Sequence, residues 1–447
     1  MLGFTPESLA QKQIGQAPRL VVNITIDQLR SDYLEAYAPL YCENGFKRLL
    51  AQGLVYPNAS YNFQPVDRAS SVASVATGTS PYYHGIVGLE WFNKETLRSQ
   101  NCVRDKQFGY SPLFLGTSTI GDEMKIASKG TALVFSFAPF ADAAILSAGH
   151  AADGVAWAND THWSTSAYYQ PISSWLSAST RLFATDQDVN KSVTDLALKC
   201  VEQAGIGLDD KTDLINITYT PGTELLEAYM NIDKQLAVLV QGVENRLGRD
   251  RVLFVLTSTG YSNEEEETEN EKYRIPTGKL NLTRTANLLN MYLGAVYGSA
   301  HYVEACYKNH IYLNRKWLDQ KNINVGEALK RSQEFLLQIS GIRNVYTSDQ
   351  LLTGENYVLA KIRNGFNVEK SGDLIIDAAP GWKIINEETG ESSLSRAGYV
   401  AFPIIFYGAN IKAERVLTPV TADRIAPTIA KSIRIRAPNA CSSEPLF

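Results

Sequence analysis

Histidine and cysteine, the side chains that most often hold transition metals, are scarce here, at five each in 447 residues. The cysteines (Cys42, Cys102, Cys200, Cys306, Cys441) are widely scattered and form no CxxC pair. That excludes a zinc ribbon or finger and a disulfide-framework miniprotein. Their odd number leaves at least one thiol outside any intramolecular pair. No two histidines stand at metal-ligand spacing such as HxxxH. No run of about 18 uninterrupted apolar residues occurs, which excludes a transmembrane helix. Charge of one sign is also lacking: 42 basic and 47 acidic residues leave a formal charge of −5, with no electrostatic footprint for nucleic acid. Internal repeats and low-complexity tracts are absent. Met1–Gln16 has neither a basic n-region nor an apolar h-region, so as written it is no export signal. Ser8-Leu9-Ala10-Gln11 nevertheless resembles the end of a bacterial signal peptide around its cleavage site, so signal grammar leaves export open.

What is present is an ordinary globular composition, 45% hydrophobic and 20% charged, with ample length for a large core. Leu20–Ile26 (LVVNITI) is a short β-branched run that ends at Asp27, and it reads as a buried strand presenting a carboxylate at its C-terminal end. Ala143–Leu146, Leu214–Tyr219, Val252–Thr257 and Pro403–Tyr407 are further buried-strand candidates. Helical periodicity between them, as over Glu224–Leu247, predicts an α/β fold: a large, mostly parallel sheet with helices on both faces. Ligands in such sheets sit at the carboxyl ends of strands, which directs attention to Asp27 and to the segment just after Thr257. The acidic run Asn263–Glu271 reads as a solvated loop. Beyond it, helices over Leu282–Gly298 and Val325–Ile339 and strands over His310–Leu313 and Arg343–Thr347 describe a smaller inserted α+β lobe. The expected boundaries are a core of residues 17–270 and 365–447, a cap insert at about 90–205, and a lobe at 275–364. The return to the core is placed at Ser371–Ile376.

In order along the chain, Ile26–Tyr33 (IDQLRSDY), Gly45–Leu49, Thr77-Gly78-Thr79-Ser80-Pro81 with His84-Gly85-Ile86, Ala143–His150, Ile311–Asn314, Ser371-Gly372-Asp373, Pro380-Gly381-Trp382, Pro403–Gly408 and Asp423–Ala430 resemble the alkaline phosphatase superfamily. The branch is that of the Bacteroidetes phosphate-irrepressible alkaline phosphatases, with nucleotide pyrophosphatase/phosphodiesterases as near relatives. The resemblance implies an alkaline-phosphatase-like core and two-metal phosphoryl transfer: a threonine or serine alkoxide attacks phosphorus between two zinc ions. It also implies a ligand set, namely an Asp after the first strand, an Asp-x-x-x-His, an Asp-His pair and a late His.

Set against that pattern, Asp27 fits the first ligand and the other positions depart. Counting back from Thr77-Gly78 places Arg68 at the nucleophile, and a guanidinium is no nucleophile. Asp-x-x-x-His falls on Thr223 and Glu227, Asp-His on Thr259 and Gly260, and the late His on Ala401. The phosphate-holding asparagine is replaced by Leu89, and the Lys-x-Arg falls on Phe140 and Asp142. One carboxylate cannot hold two ions, so no metal cofactor is expected and the resemblance implies a pseudophosphatase that acts as a binding or scaffold protein.

Two other functions stay open: a remodelled metal-dependent phosphomonoesterase or phosphodiesterase using Asp27, Glu227 and the acidic run, and a metal-free chemistry around Arg68 and Asp27. Asp27 is read as a structural carboxylate paired with Arg68 or capping a turn. Arg68 is read as pairing with Asp27 or Asp67, or as binding an anionic ligand. A register shift could instead present Ser70 or Ser71, and backbone N–H groups over Ser70–Ala76 could keep an anion site. His84 and His150 are expected in packing roles. The aromatic stretch from Trp163 through Tyr168-Tyr169 to Trp175, like Tyr82-Tyr83, either packs the insert or forms a recognition surface. The partner is an unknown protein or anionic small molecule, and the resemblance implies a periplasmic or exported location.

Overall fold

The computed structural model describes residues 15–159, 162–171, 173–179, 188–221, 225–262, 277–354, 359–385, 392–394 and 400–447. Its centre is a ten-stranded sheet. The seven principal strands are β1 (Leu20–Ile26), β2 (Leu54–Ser60), β3 (Val134–Ala138), β4 (Gly154–Asn159), β5 (Asp213–Tyr219), β6 (Val252–Ser258) and β7 (Phe402–Gly408). They lie in the order β2-β7-β6-β1-β5-β3-β4. The block from β6 to β4 is parallel, whereas β7 runs antiparallel to both β6 and β2.

Every residue of β1, β5, β6 and β7 is buried, as continuous apolar runs covered on both faces must be. The pleat divides them. Leu20, Val22, Ile24 and Ile26 join the core under the helices Val189–Gln203 and Leu225–Leu247, while Val21 joins the opposite core under Ile425–Ile433. Three helices matter below: α1 (Arg68–Thr77), α2 (Ala141–Ala148) and α3 (Leu225–Leu247).

Two expectations about the core are corrected. Ala143–Leu146 is not a strand but the middle of α2. A four-residue apolar run carries no period of its own, and its alanines favour the helix. The cap insert at 90–205 is much smaller than expected, because β3 and β4 belong to the central sheet and α2 packs across it. Among the described residues of that segment, the hairpins of Glu90–Asn93 with Arg98–Asn101, and Arg104–Asp105 with Gly109–Tyr110, form two-stranded sheets of their own. The aromatic stretch packs rather than projects: Trp163 and Tyr169 are buried, Tyr169 Oη donates to Gly149 O at 2.6 Å, and Trp175 meets Phe135 edge-on. Tyr83 alone of the singled-out aromatics is well exposed. The acidic run 263–271 lies outside the described residues.

The lobe holds a four-stranded antiparallel sheet ordered Val303–Tyr307, His310–Leu313, Leu374–Ala378, Ile342–Thr347. A three-stranded sheet of Gly278–Asn281, Trp382–Ile385 and Ser392–Leu394 lies beside it. Leu374–Ala378 is thus an inner strand of the lobe and not the return to the core, and the lobe extends past residue 364. The sequence places the boundary too early because the run LIIDA is as apolar as a core strand. No helix among the described residues is long and apolar enough to cross a membrane.

Two of the contacts that tie lobe to core involve aromatic rings. Phe92 of the first hairpin packs on Tyr307 and Tyr312, and Tyr307 Oη donates to Glu90 Oε2 at 3.0 Å. Lys370 reaches across to donate to Gly85 O at 2.5 Å and Phe114 O at 3.1 Å, with its ammonium 4.5 Å from the Trp91 ring centroid. Burial pulls that ammonium down to about 8, against about 10.4 in an unfolded chain. A depressed folded value contributes stability that is present above the unfolded value and lost as pH falls through the folded one. Wild-type stability measured against Lys370→Met by chemical unfolding should therefore rise from about pH 7 to about pH 10. A pH-independent difference would show that the ammonium is not confined at this contact.

Candidate functional site

β1, β5 and β6 end level with one another, Ile26 lying opposite both Tyr219 and Ser258. Asp27 is the first residue beyond that edge, and its backbone N–H donates to Tyr219 O at 2.8 Å. Thr259, Gly260 and Tyr261 follow β6. β3 leads through Phe140 into α2, whose first turn carries Asp142. Packed against α2 in the same core cluster, α1 begins at Arg68, capped by Asp67. Parallel register thus brings residues far apart in sequence to one carboxyl edge, as it does generally in open α/β sheets.

Arg68 occupies the centre of this cluster. Its Nε and Nη2 donate to Asp142 Oδ2 and Oδ1 at 2.8 and 3.1 Å, a two-pronged fork, and its Nη1 lies 3.6 Å from Asp27 Oδ2. The guanidinium stacks on the Phe140 ring, 3.7 Å from its centroid. Asp27 is held from the far side: Thr259 Oγ1 donates to Oδ1 at 2.8 Å and Tyr261 Oη to Oδ2 at 3.3 Å. Asp27 is 2% and Asp142 5% exposed. Burial lifts the Asp27 carboxyl above its ordinary range, opposed by Arg68 and the two hydroxyls. Burial also works against the Arg68 charge, but Asp142, and after it Asp27, outweigh it and hold the guanidinium above its ordinary value.

The structure therefore brings together Asp27, Arg68, Phe140, Asp142 and Thr259. Tyr261 completes the set and was not singled out from sequence, although it lies in the segment after Thr257 where a site was sought. Asp67 does not pair with Arg68. Its Oδ1 accepts from Ser70 N at 2.9 Å and its Oδ2 from Leu89 N at 2.6 Å, so Leu89 contributes a backbone N–H. That cap fills the α1 N-terminus where an anion site was expected. Ser70 Oγ donates to the capping carboxylate of Asp67 and Ser71 Oγ to Arg68 O, so both hydroxyls are engaged within the first turn of α1.

The other positions lie apart. Ala401 serves through its carbonyl, which accepts from Ser31 N. Glu227 is exposed on the first turn of α3, and among the described residues no hydrogen bond or ion pair joins it to Asp27 or Arg68. Thr223 lies outside the described residues. Both motif histidines are structural. His84 Nδ1 accepts from Ile86 N while Nε2 donates to Ser74 Oγ, and burial draws its value down to about 3. His150 is bound to Asp122, which raises its value, and to Leu115 O.

The residues present do not fit two zinc ions. Both oxygens of Asp27 already accept hydroxyl hydrogen bonds beside a guanidinium. Among the described residues no three His, Cys, Asp or Glu side chains group to hold a metal. Gly260 closes the matter locally: its φ is +70°, and a Cβ there would stand 2.7 Å from the rings of Tyr61 and Phe402, so no histidine side chain has room.

Residues 21–399 match the type I phosphodiesterase / nucleotide pyrophosphatase family, and the chain belongs to it. Alkaline phosphatase PafA of Elizabethkingia meningoseptica is 23% identical over 96% of this chain and 94% of its own. Alkaline phosphatase PhoV of Synechococcus elongatus is 22% identical, covering 94% of this chain and 91% of its own. The crystal structure of wild-type PafA superposes with a TM-score of 0.84 at 21% identity, covering 96% of this chain and 98% of that one. The fold is thus that of the alkaline phosphatase superfamily.

Removing one member of a buried ion pair strands the other, at about 3–5 kcal/mol. Asp142→Asn should lose about that much in urea unfolding, because Arg68 loses its forked partner. Asp27→Asn should stay within about 1 kcal/mol, because burial disfavours the charge it removes. The raised folded value of Asp27 means its contribution is full below the unfolded value and is lost as pH rises through the folded one. The Asp27→Asn variant should therefore gain on the wild type as pH climbs out of the carboxylate range. Gly260→His should cost roughly 2–4 kcal/mol through the left-handed backbone and the ring overlap; unchanged urea midpoints for Asp142→Asn and Gly260→His would contradict this account.

Proposed function

We propose that this member of the phosphoesterase superfamily is a catalytically inactive pseudophosphatase that acts as a binding or scaffold protein, exported to the periplasm. The observation that carries the reading is the forked Arg68–Asp142 pair, which sets a permanent cation where the resemblance places the nucleophile. A divalent ion approaching Asp27 meets that charge at short range, and the carboxylate it needs is already engaged. The remodelled-esterase alternative draws no support from Glu227, which is exposed and, among the described residues, has no hydrogen bond or ion pair to Asp27. A protein partner is favoured over an anionic small molecule, since the Arg68 fork that would grip an anion is spent internally. Export rests on the resemblance alone.

The test is elemental analysis of protein purified without chelator and dialysed against zinc, together with turnover of phosphate mono- and diesters. No bound metal and no turnover are expected. About two ions per chain with metal-dependent hydrolysis would overturn the reading. Arg68→Thr alone should recover no activity, because the new hydroxyl would still lack a metal to activate it.

A further inference from the structure

We propose that the carboxyl edge of the sheet is a guanidinium site that the chain fills with its own Arg68. This deepens the pseudophosphatase reading by naming the ligand class that the remodelled site selects. The walls are those that planar cation calls for: a carboxylate presented edge-on to two N–H groups, a second carboxylate beside the remaining nitrogen, and an aromatic face beneath the plane. The backbone that carries each wall is held by contacts other than those of Arg68. Asp27 is pinned by Thr259 and Tyr261, while Phe140 and Asp142 belong to the start of α2, itself packed against α1 and the sheet. Asp67, the remaining nearby carboxylate, is bound up in the α1 cap and so does not distort the fork.

The charge balance points the same way. Two carboxylates face one guanidinium, so the site presents no surplus positive charge to a phosphate. Removing Arg68 would leave two nearly buried carboxylates and an aromatic ring, a preformed receptor for a monovalent planar cation. Among the described residues a divalent ion would find no third protein ligand there.

The test uses the full chain with Arg68→Ala and ethylguanidinium, which restores the atoms the substitution removes. Thermal unfolding of Arg68→Ala should begin well below wild type and rise saturably by several degrees with about 10 mM ethylguanidinium. Equimolar ethylammonium should have little effect, since it lacks the fork. The wild type should not respond, and Arg68→Ala combined with Asp142→Asn should lose the response. Should Arg68→Ala fail to fold, Arg68→Lys and the wild type carry the test: the lysine variant should unfold earlier than wild type, and neither zinc nor phosphate should shift the wild-type midpoint. Equal response to ethylammonium, no response, or a zinc-dependent rise in the wild type would each overturn the guanidinium site. A missing response without turnover would leave the pseudophosphatase reading standing; zinc-dependent turnover would remove both.

Discussion

The fork between Arg68 and Asp142 is the contact around which the carboxyl edge is arranged. It joins the first residue of one helix to the first turn of another, and through Asp27 it reaches the end of the central strand. Buried ion pairs add little net stability, because desolvating the charges consumes most of the Coulombic gain. Their effect is geometric, since a charge without its partner is so costly that few alternative arrangements survive. Asp27 illustrates the balance: burial outweighs the neighbouring guanidinium and lifts its carboxyl above the ordinary range. The edge is held in one configuration more than it is strongly stabilised.

Around this contact the scaffold retains what any open α/β sheet needs to build a site: level strand ends, a capped helix packed beside α2, and a left-handed turn after β6. These features follow from backbone register and from packing of alternate side chains into two cores, and none depends on a bound ion. A fold can therefore persist intact while the side chains at its strand ends are exchanged for a self-contained polar network. Fold and chemistry are separable for this reason.

Much of this was legible in the sequence, for definite reasons. β1, β5 and β6 match their apolar runs to within a residue because strands buried on both faces are mostly apolar, and the residue missed at one end of β5 and of β6 is polar, Asp213 and Ser258. The long amphipathic helix α3 was equally plain from its period. Asp27, Arg68, Phe140, Asp142 and Thr259 could be named because ordered motifs fix their offsets. Which carboxylate Arg68 chooses could not be read: the sequence offers Asp27 and Asp67, whereas the fork goes to Asp142, because packing of α2 on α1 delivers that carboxylate and a helix cap consumes Asp67. Ala143–Leu146 and Leu374–Ala378 were misplaced for one common reason, that short apolar runs report burial without saying what they are buried in. Tyr261 went unnoticed because a tyrosine among 23 carries no spacing signal.

The left-handed turn at Gly260 bears on the order in which this sequence can change. A side chain at that position collides with Tyr61 and Phe402, both of which belong to the core beneath the sheet. Any mutational route that introduces an imidazole there must first open the aromatic core, at a loss of packing, before the new residue has space. Even then the imidazole would have no metal to bind until several further positions had changed. Each intermediate is less stable than its predecessor, so single substitutions under selection for stability lead away from such a route. The turn works as a ratchet, keeping the chain in the chemistry it now has.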